Sequence, residues 1–150
     1  MISGAIKLSA YADQLNISGG TIAGNIVGSG SLDTVNFNPG ASNTLTYGSS
    51  YGFAGIHQAN VTSGTVVLNG NNTATGMTVS SGGALAGTGV ITSSITIANG
   101  GTLEPGLPGT AGGVLSIAGT LTFASSSASY LDTINGSSVS ETESSLDGSG

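Results

Sequence analysis

Side chains that could carry acid–base or nucleophilic chemistry are few in this sequence and are spread along it. The 150 residues include one histidine, His57, seven Asp and Glu residues, and Lys7 as the only Lys or Arg. A Ser–His–Asp hydrolase would have to use His57 as its general base. His57 follows Phe53 in a stretch rich in Gly, Ser and Tyr, so we expect it to be an ordinary loop histidine.

The acidic residues do not form a recognisable catalytic pattern either. The tripeptides at 33–35 and 132–134 read Asp-Thr-Val and Asp-Thr-Ile, and both lack the glycine of the aspartic-protease Asp-Thr-Gly. We expect Asp33 and Asp132 to point outward from strands. Asp13 and Asp33 stay open as a carboxylate pair of the kind that cuts polysaccharides, but a lyase would also need a basic residue. The sequence therefore predicts no catalytic, cofactor-binding or metal site, and a protein that is not an enzyme.

Charge and composition exclude several other function classes. The net charge is −6 and the single cation cannot neutralise a phosphate backbone, so we expect no nucleic-acid binding. There is no cysteine for a disulfide or a thiolate metal site. No segment approaches the ~18 consecutive apolar residues of a membrane helix, so we expect no direct membrane insertion. Hydrophobic residues still make up 37% of the chain, which is enough for a folded core.

The elements that would position any functional residue come from a repeated phrase in residues 61–123. Each copy has an aliphatic β-branched residue, two small residues, glycine, then a small and an aliphatic residue. A repeat of about twenty residues built from short alternating strands and glycine turns is typical of a β-solenoid, in which each repeat is one stacked coil. The small residue after the last glycine of each copy falls at Thr21, Thr44, Thr65, Ala84, Thr102 and Thr120.

This register predicts which residues stack inside the solenoid and how the chain divides. Leu85, Leu103 and Leu121 hold the same place in their copies, so we expect them to form one inward column. We expect residues 1–13 to be an N-terminal edge or cap and residues 14–135 to be the solenoid. Residues 136–150, which are rich in serine, are expected to be a flexible tail or the start of a further coil.

Residues 64–135 resemble the passenger-associated repeat of bacterial type V autotransporters. In that family a Gly-Thr-Leu-x-Leu-x-Gly coil precedes Gly-Gly-x-Leu-x-Gly-x-Gly and then Gly-Gly-Thr-Leu-x-Pro-Gly. The corresponding segments here are residues 64–70, 82–89 and 100–106. The sequence departs from the pattern at Glu104, where the family has a small residue, and at a second proline turn formed by residues 107–109.

The resemblance implies an all-β, right-handed parallel β-helix with coils of about 18–23 residues. It also implies a location on the surface of a Gram-negative bacterium, with the signal peptide and the outer-membrane barrel outside this segment. We expect a structural or adhesive stalk that acts through a glycan or cell-surface ligand, or through self-association. The longest stretches between strands should carry any specific contact, so residues 48–58 are the candidate recognition loop, with Tyr51, Phe53 and His57.

Two alternatives remain open at this stage. One is a carbohydrate-active β-helix. The other is a flat threonine face that binds ice or glycans, suggested by the pairs Thr44/Thr46 and Thr120/Thr122. Threonine favours strands in general, and these pairs do not recur in every coil.

Overall fold

The computed structural model of the protein describes residues 1–29, 32–134 and 137–142 and contains no helix in those residues. Short strands of two to nine residues alternate with turns along the whole described chain. The strands are β1 (Ile2–Ser3), β2 (Ile6–Lys7), β3 (Gln14–Ile17), β4 (Ile22–Ala23), β5 (Ile26–Val27), β6 (Thr34–Phe37), β7 (Thr44–Tyr47), β8 (Phe53–Ala54), β9 (Ile56–Val61), β10 (Gly64–Leu68), β11 (Asn71–Val79), β12 (Gly83–Gly87), β13 (Val90–Ile97), β14 (Thr102–Pro105), β15 (Ser116–Ile117), β16 (Leu121–Phe123), β17 (Ser129–Ile134) and β18 (Ser137–Thr142).

The strands stack in parallel on successive coils and form three sheets along the solenoid, with β1 and β4 as a separate pair. The first face has the order β3-β6-β9-β11-β13-β15, with β16 also paired to β13. The second face has the order β7-β10-β12-β14-β17-β18, and the short sheet consists of β2, β5 and β8. The predicted all-β solenoid is therefore confirmed, and it has about five turns.

Period-two alternation places one set of side chains inside the coil and the next set outside. On the first face, Val35, Ala59, Met77 and Ile95 are register partners on consecutive coils and are all buried. The step between register partners ranges from 18 residues, Met77 to Ile95, to 24 residues, Val35 to Ala59. The coil length that the sequence predicts holds in the middle of the chain.

On the second face the predicted repeat register is correct at four positions and wrong at two. Thr44, Thr65, Ala84 and Thr102 are partners on neighbouring strands, as the repeated phrase predicts. The next partner of Thr102 is Ser129, not Thr120. At the other end, Thr21 precedes β4, which pairs with β1 and does not belong to the second face.

The predicted column of Leu85, Leu103 and Leu121 is consequently wrong at its last member. Leu85 and Leu103 are partners and are buried, but Leu121 pairs with Ile95 on the first face and is 37% exposed. The cause is the additional loop at residues 106–113, where Gly106 and Gly109 adopt positive φ and turn the chain. This loop delays the chain, so the fourth copy of the phrase falls on a different face.

Both ends of the described chain take part in the sheets. The strands β1 and β2, within residues 1–13, pair in parallel with β4 and β5. At the other end β18 pairs antiparallel with β17. Part of the predicted tail, residues 136 and 143–150, lies outside the described residues.

Tyr47 is the largest of the fully buried side chains and ties two coils together from inside. Its hydroxyl donates to the carbonyl oxygen of Gly24 at 2.6 Å and also lies 3.0 Å from the carbonyl oxygen of Gly52. Burial raises the pKa of Tyr47 to about 12, an effect partly offset by a hydrogen bond from the backbone of Ile26. The phenol therefore stays protonated at neutral pH and remains a donor.

Candidate functional site

A groove of about 310 Å³ lies on the surface between the short sheet and the loop at residues 48–52. Its polar lining residues are Asn25, Ser49, Ser50, Tyr51 and Asn71, and its other lining residues are Ile26, Val27, Gly52, Phe53 and Ala54. Three successive coils contribute to it, because β5, the loop that precedes β8, and the start of β11 lie one above another. The groove is thus made by the stacking of coils and by the extra length of the chain between β7 and β8.

The loop at 48–52 is held in place from the coil below. The backbone N–H of Gly52 donates to Asn25 Oδ1 at 3.1 Å, and the carbonyl oxygen of Gly52 lies 3.0 Å from the Tyr47 hydroxyl. Within the loop, the N–H of Tyr51 donates to the carbonyl oxygen of Gly48 at 3.2 Å. Both ends of this short loop are therefore anchored.

The coil above holds the same loop through close backbone contact. A Cβ on Gly52 would lie 1.7 Å from the carbonyl oxygen of Asn71, and a Cβ on Gly70 would lie 1.8 Å from the carbonyl oxygen of Tyr51. Only residues without a side chain allow the two coils to approach so closely. The groove is therefore a preformed feature of the fold.

The structure separates the three residues of the candidate recognition loop. Tyr51 lines the groove and is half-buried, with part of its side chain packed against the core. Phe53 belongs to β8, is 1% exposed and packs near Phe37, with the two ring centroids 6.0 Å apart. His57 is exposed on β9 and does not line the groove. Of the three, only Tyr51 offers its side chain to a ligand in the groove, whereas Phe53 stabilises the interior.

The groove has no side chain that could act as an acid or a base. None of its lining residues is an Asp, Glu, His or Lys. Residues 48–52 read Gly-Ser-Ser-Tyr-Gly and match the spacing of the hydrolase nucleophile elbow, with Ser50 in the place of the nucleophile. That elbow is a strand-to-helix turn, whereas here the segment joins β7 to β8. Its geometry and its surroundings suit binding and not hydrolysis.

Asp13 and Asp33 are brought together by the fold, but in structural roles. The predicted outward position of Asp33 is wrong, because this residue is 0% exposed. Its Oδ1 accepts the N–H of Asp13 and its Oδ2 accepts the N–H of Ser29, both at 3.0 Å. Asp13 in turn accepts the N–H of Ser9. A buried carboxylate satisfied by backbone N–H groups fixes a turn, and within the described residues no three His, Cys, Asp or Glu side chains cluster as a metal site.

The outer side of the first face carries a ladder of amides that bind one another. Asn16, Asn36 and Asn60 are register partners, and each Nδ2 donates to the Oδ1 of the residue before it at 2.8 Å. Gln58 continues the ladder, since its Nε2 lies 3.0 Å from both Asn60 Oδ1 and Thr78 Oγ1. Stacked amides of this kind stabilise a sheet along its axis.

The threonine pairs do not form one face. Thr44 and Thr46 lie on β7 of the second face, whereas Thr122 lies on β16 of the first face and Thr120 just precedes that strand. A flat threonine array made from these pairs is therefore absent. On the second face the register partners of Thr46 are not threonine: Val67, then Ala86, then Glu104.

Comparisons with known proteins give no further constraint. No protein family matches the chain, and neither the curated proteins nor the solved structures include a significant match. Among the described residues, no helix is long and apolar enough to span a membrane.

Proposed function

We propose that this chain is a structural and adhesive stalk segment of a surface-displayed autotransporter passenger. The observation that carries the proposal is the uninterrupted stack of parallel strands from β3 to β16 on the first face. Each coil adds ~4.8 Å of length, so such a stack projects whatever it carries away from its anchor. The resemblance of residues 64–135 to passenger repeats supports the same role.

The surface of the solenoid suits weak repeated contact. Its outward residues are mostly Ser, Thr, Asn and Gly, and charged residues are only 5% of the chain. A neutral hydrated surface allows rods to approach each other or a cell-surface ligand without strong repulsion. Many weak contacts made by neighbouring copies then add up through multivalency. Under this proposal the segment works outside a Gram-negative cell, and the export signal and barrel belong to other parts of the full-length protein.

A second candidate is a glycan-binding or carbohydrate-active β-helix. The groove beside Tyr51 supports the binding version of this candidate. The cleaving version has less support, because the groove lacks carboxylates and the pair Asp13 and Asp33 accepts backbone N–H groups. Glycan binding is compatible with the adhesive role, since a stalk can carry its own contact site.

The test is to display the segment on a non-adherent Gram-negative cell through a heterologous signal and barrel. Cells that carry the segment should settle and adhere several-fold faster than cells that carry a Gly/Ser linker of equal extended length. The linker is the matched control, because it separates adhesion from mere display of extra chain. Equal behaviour of the two strains would overturn the adhesive role, and turnover of a polysaccharide by the purified chain would overturn the non-enzymatic one.

A further inference from the structure

The groove between β5, the loop at 48–52 and β11 has features that the proposed function does not use. Its five polar side chains, Asn25, Ser49, Ser50, Tyr51 and Asn71, are all neutral. Asn25 Oδ1 accepts the N–H of Gly52, but its Nδ2 has no protein partner within the described residues. No hydrogen bond within the described protein involves the side-chain polar atoms of the other four.

This arrangement differs from the amide ladder on the first face. There the amides of Asn36 and Asn60 are paired with their neighbours along the solenoid axis. In the groove, hydroxyl and amide groups from three coils converge on one concavity and remain available to a ligand. Concave sites with a few well-placed polar groups are the usual form of small-molecule sites, with volumes of ~300–1,000 Å³.

The chemistry of the lining selects a class of ligand. A saccharide presents hydroxyls that both donate and accept hydrogen bonds, which matches serine hydroxyls and carboxamides. It also presents a C–H face, which packs well against the electron-rich face of an aromatic ring such as Tyr51. The absence of charged lining residues disfavours phosphate, sulfate, carboxylate or amine ligands, because no counter-charge is present.

The groove is also held rigidly, which reduces the entropy lost on binding. The loop at 48–52 is tied to Asn25 and Tyr47 by hydrogen bonds and to the coil above by backbone contact at Gly52 and Gly70. We propose that this groove is a binding site for a neutral saccharide, with Tyr51 as the stacking ring and Asn25 and Asn71 as hydrogen-bonding groups. The proposal rests on the adhesive role above and names the ligand class for it.

The experiment titrates the soluble 150-residue chain with neutral oligosaccharides of glucose, mannose, galactose and N-acetylglucosamine. Calorimetry measures affinity, and amide NMR follows the side-chain NH₂ groups of Asn25 and Asn71. At least one neutral sugar should bind with a dissociation constant of about 1 mM or tighter and shift those resonances. A sulfated polysaccharide is the charged comparison and should not compete.

Variants then place the binding in the groove. Tyr51→Ala should weaken binding at least tenfold, and Tyr51→Phe should stay within about threefold of wild type because the ring is kept. Tyr51 also packs against the core, so Asn71→Ala serves as an exposed second variant with an expected loss of severalfold. Thr92→Ala, exposed on β13, is the matched control and should leave the affinity unchanged.

Three results would overturn the proposal: no binding by any neutral sugar, binding of the sulfated polymer alone, or unchanged affinity in both Tyr51→Ala and Asn71→Ala. These outcomes are separate from the display test. Loss of sugar binding with cell adhesion intact would remove only the saccharide site. Sugar binding without adhesion would remove only the adhesive role.

Discussion

Leu103→Asp is expected to lower the free energy of unfolding by about 4 kcal/mol or more, and in this small protein to prevent folding. Leu103 is 1% exposed and lies inside the solenoid, between its register partners Leu85 and Tyr130. The substitution removes an aliphatic side chain from the core and buries a carboxylate with no cation near it. The measurement is urea unfolding followed by circular dichroism.

Thr102→Asp is the matched control for that result, because it places the same new group one residue away. Thr102 is half-buried on the outside of β14, and its register partners are Ala84 and Ser129. The new carboxylate reaches water there, so we expect a loss of about 1 kcal/mol or less. Equal losses for the two variants would contradict the inward and outward alternation on the second face.

Gly70→Ala should be the second most damaging change and tests the contact between coils. A Cβ at this position would lie 1.8 Å from the carbonyl oxygen of Tyr51 and 3.1 Å from that of Gly48. Both atoms belong to backbone, so the coils themselves must separate to relieve the overlap. We expect a loss of about 3 kcal/mol in the free energy of unfolding, together with a change in the NMR signals of residues 48–52.

Gly48→Ala is the control in the same loop. A Cβ on Gly48 meets nothing within 4 Å, and its φ is outside the left-handed region. The alanine restricts the unfolded chain, so the variant should match wild type or gain up to about 0.5 kcal/mol. A Gly70→Ala protein as stable as Gly48→Ala would show that the coils are not in backbone contact at this corner.

The sequence was most informative where the repeated phrase and the coil geometry agree. Strand alternation and glycine turns predicted the solenoid and the stacking of Thr44, Thr65, Ala84 and Thr102. The phrase does not specify whether its glycine turn forms a corner between faces or a bend within one face. In residues 97–103 the turn joins β13 to β14, whereas in residues 117–121 it joins β15 to β16 on the first face. Leu121 was therefore misplaced.

Side-chain burial away from the repeat was harder to predict, because it depends on which coils are neighbours. Asp33 precedes a strand and seems solvent-exposed in sequence, but its carboxylate closes the turn formed by the N–H groups of Asp13 and Ser29. Phe53 lies in a glycine-rich stretch typical of a loop. It is buried because β8 stacks on β5, with Phe53 paired to Ile26. The groove is lined by residues from three coils, so no single stretch of sequence indicates it.

The most direct test of the stacked-coil register is disulfide formation between pairs of introduced cysteines, since the chain has no native cysteine. Register partners on neighbouring parallel strands lie ~4.8 Å apart, within the Cα separation of a disulfide. Thr65→Cys with Ala84→Cys, and Thr102→Cys with Ser129→Cys, should each oxidise nearly completely within one chain. Thr102→Cys with Thr120→Cys should not, because Thr120 lies beside the first face. Cross-linking of residue 102 to 120 in place of 129, or no cross-link between 65 and 84, would contradict the account.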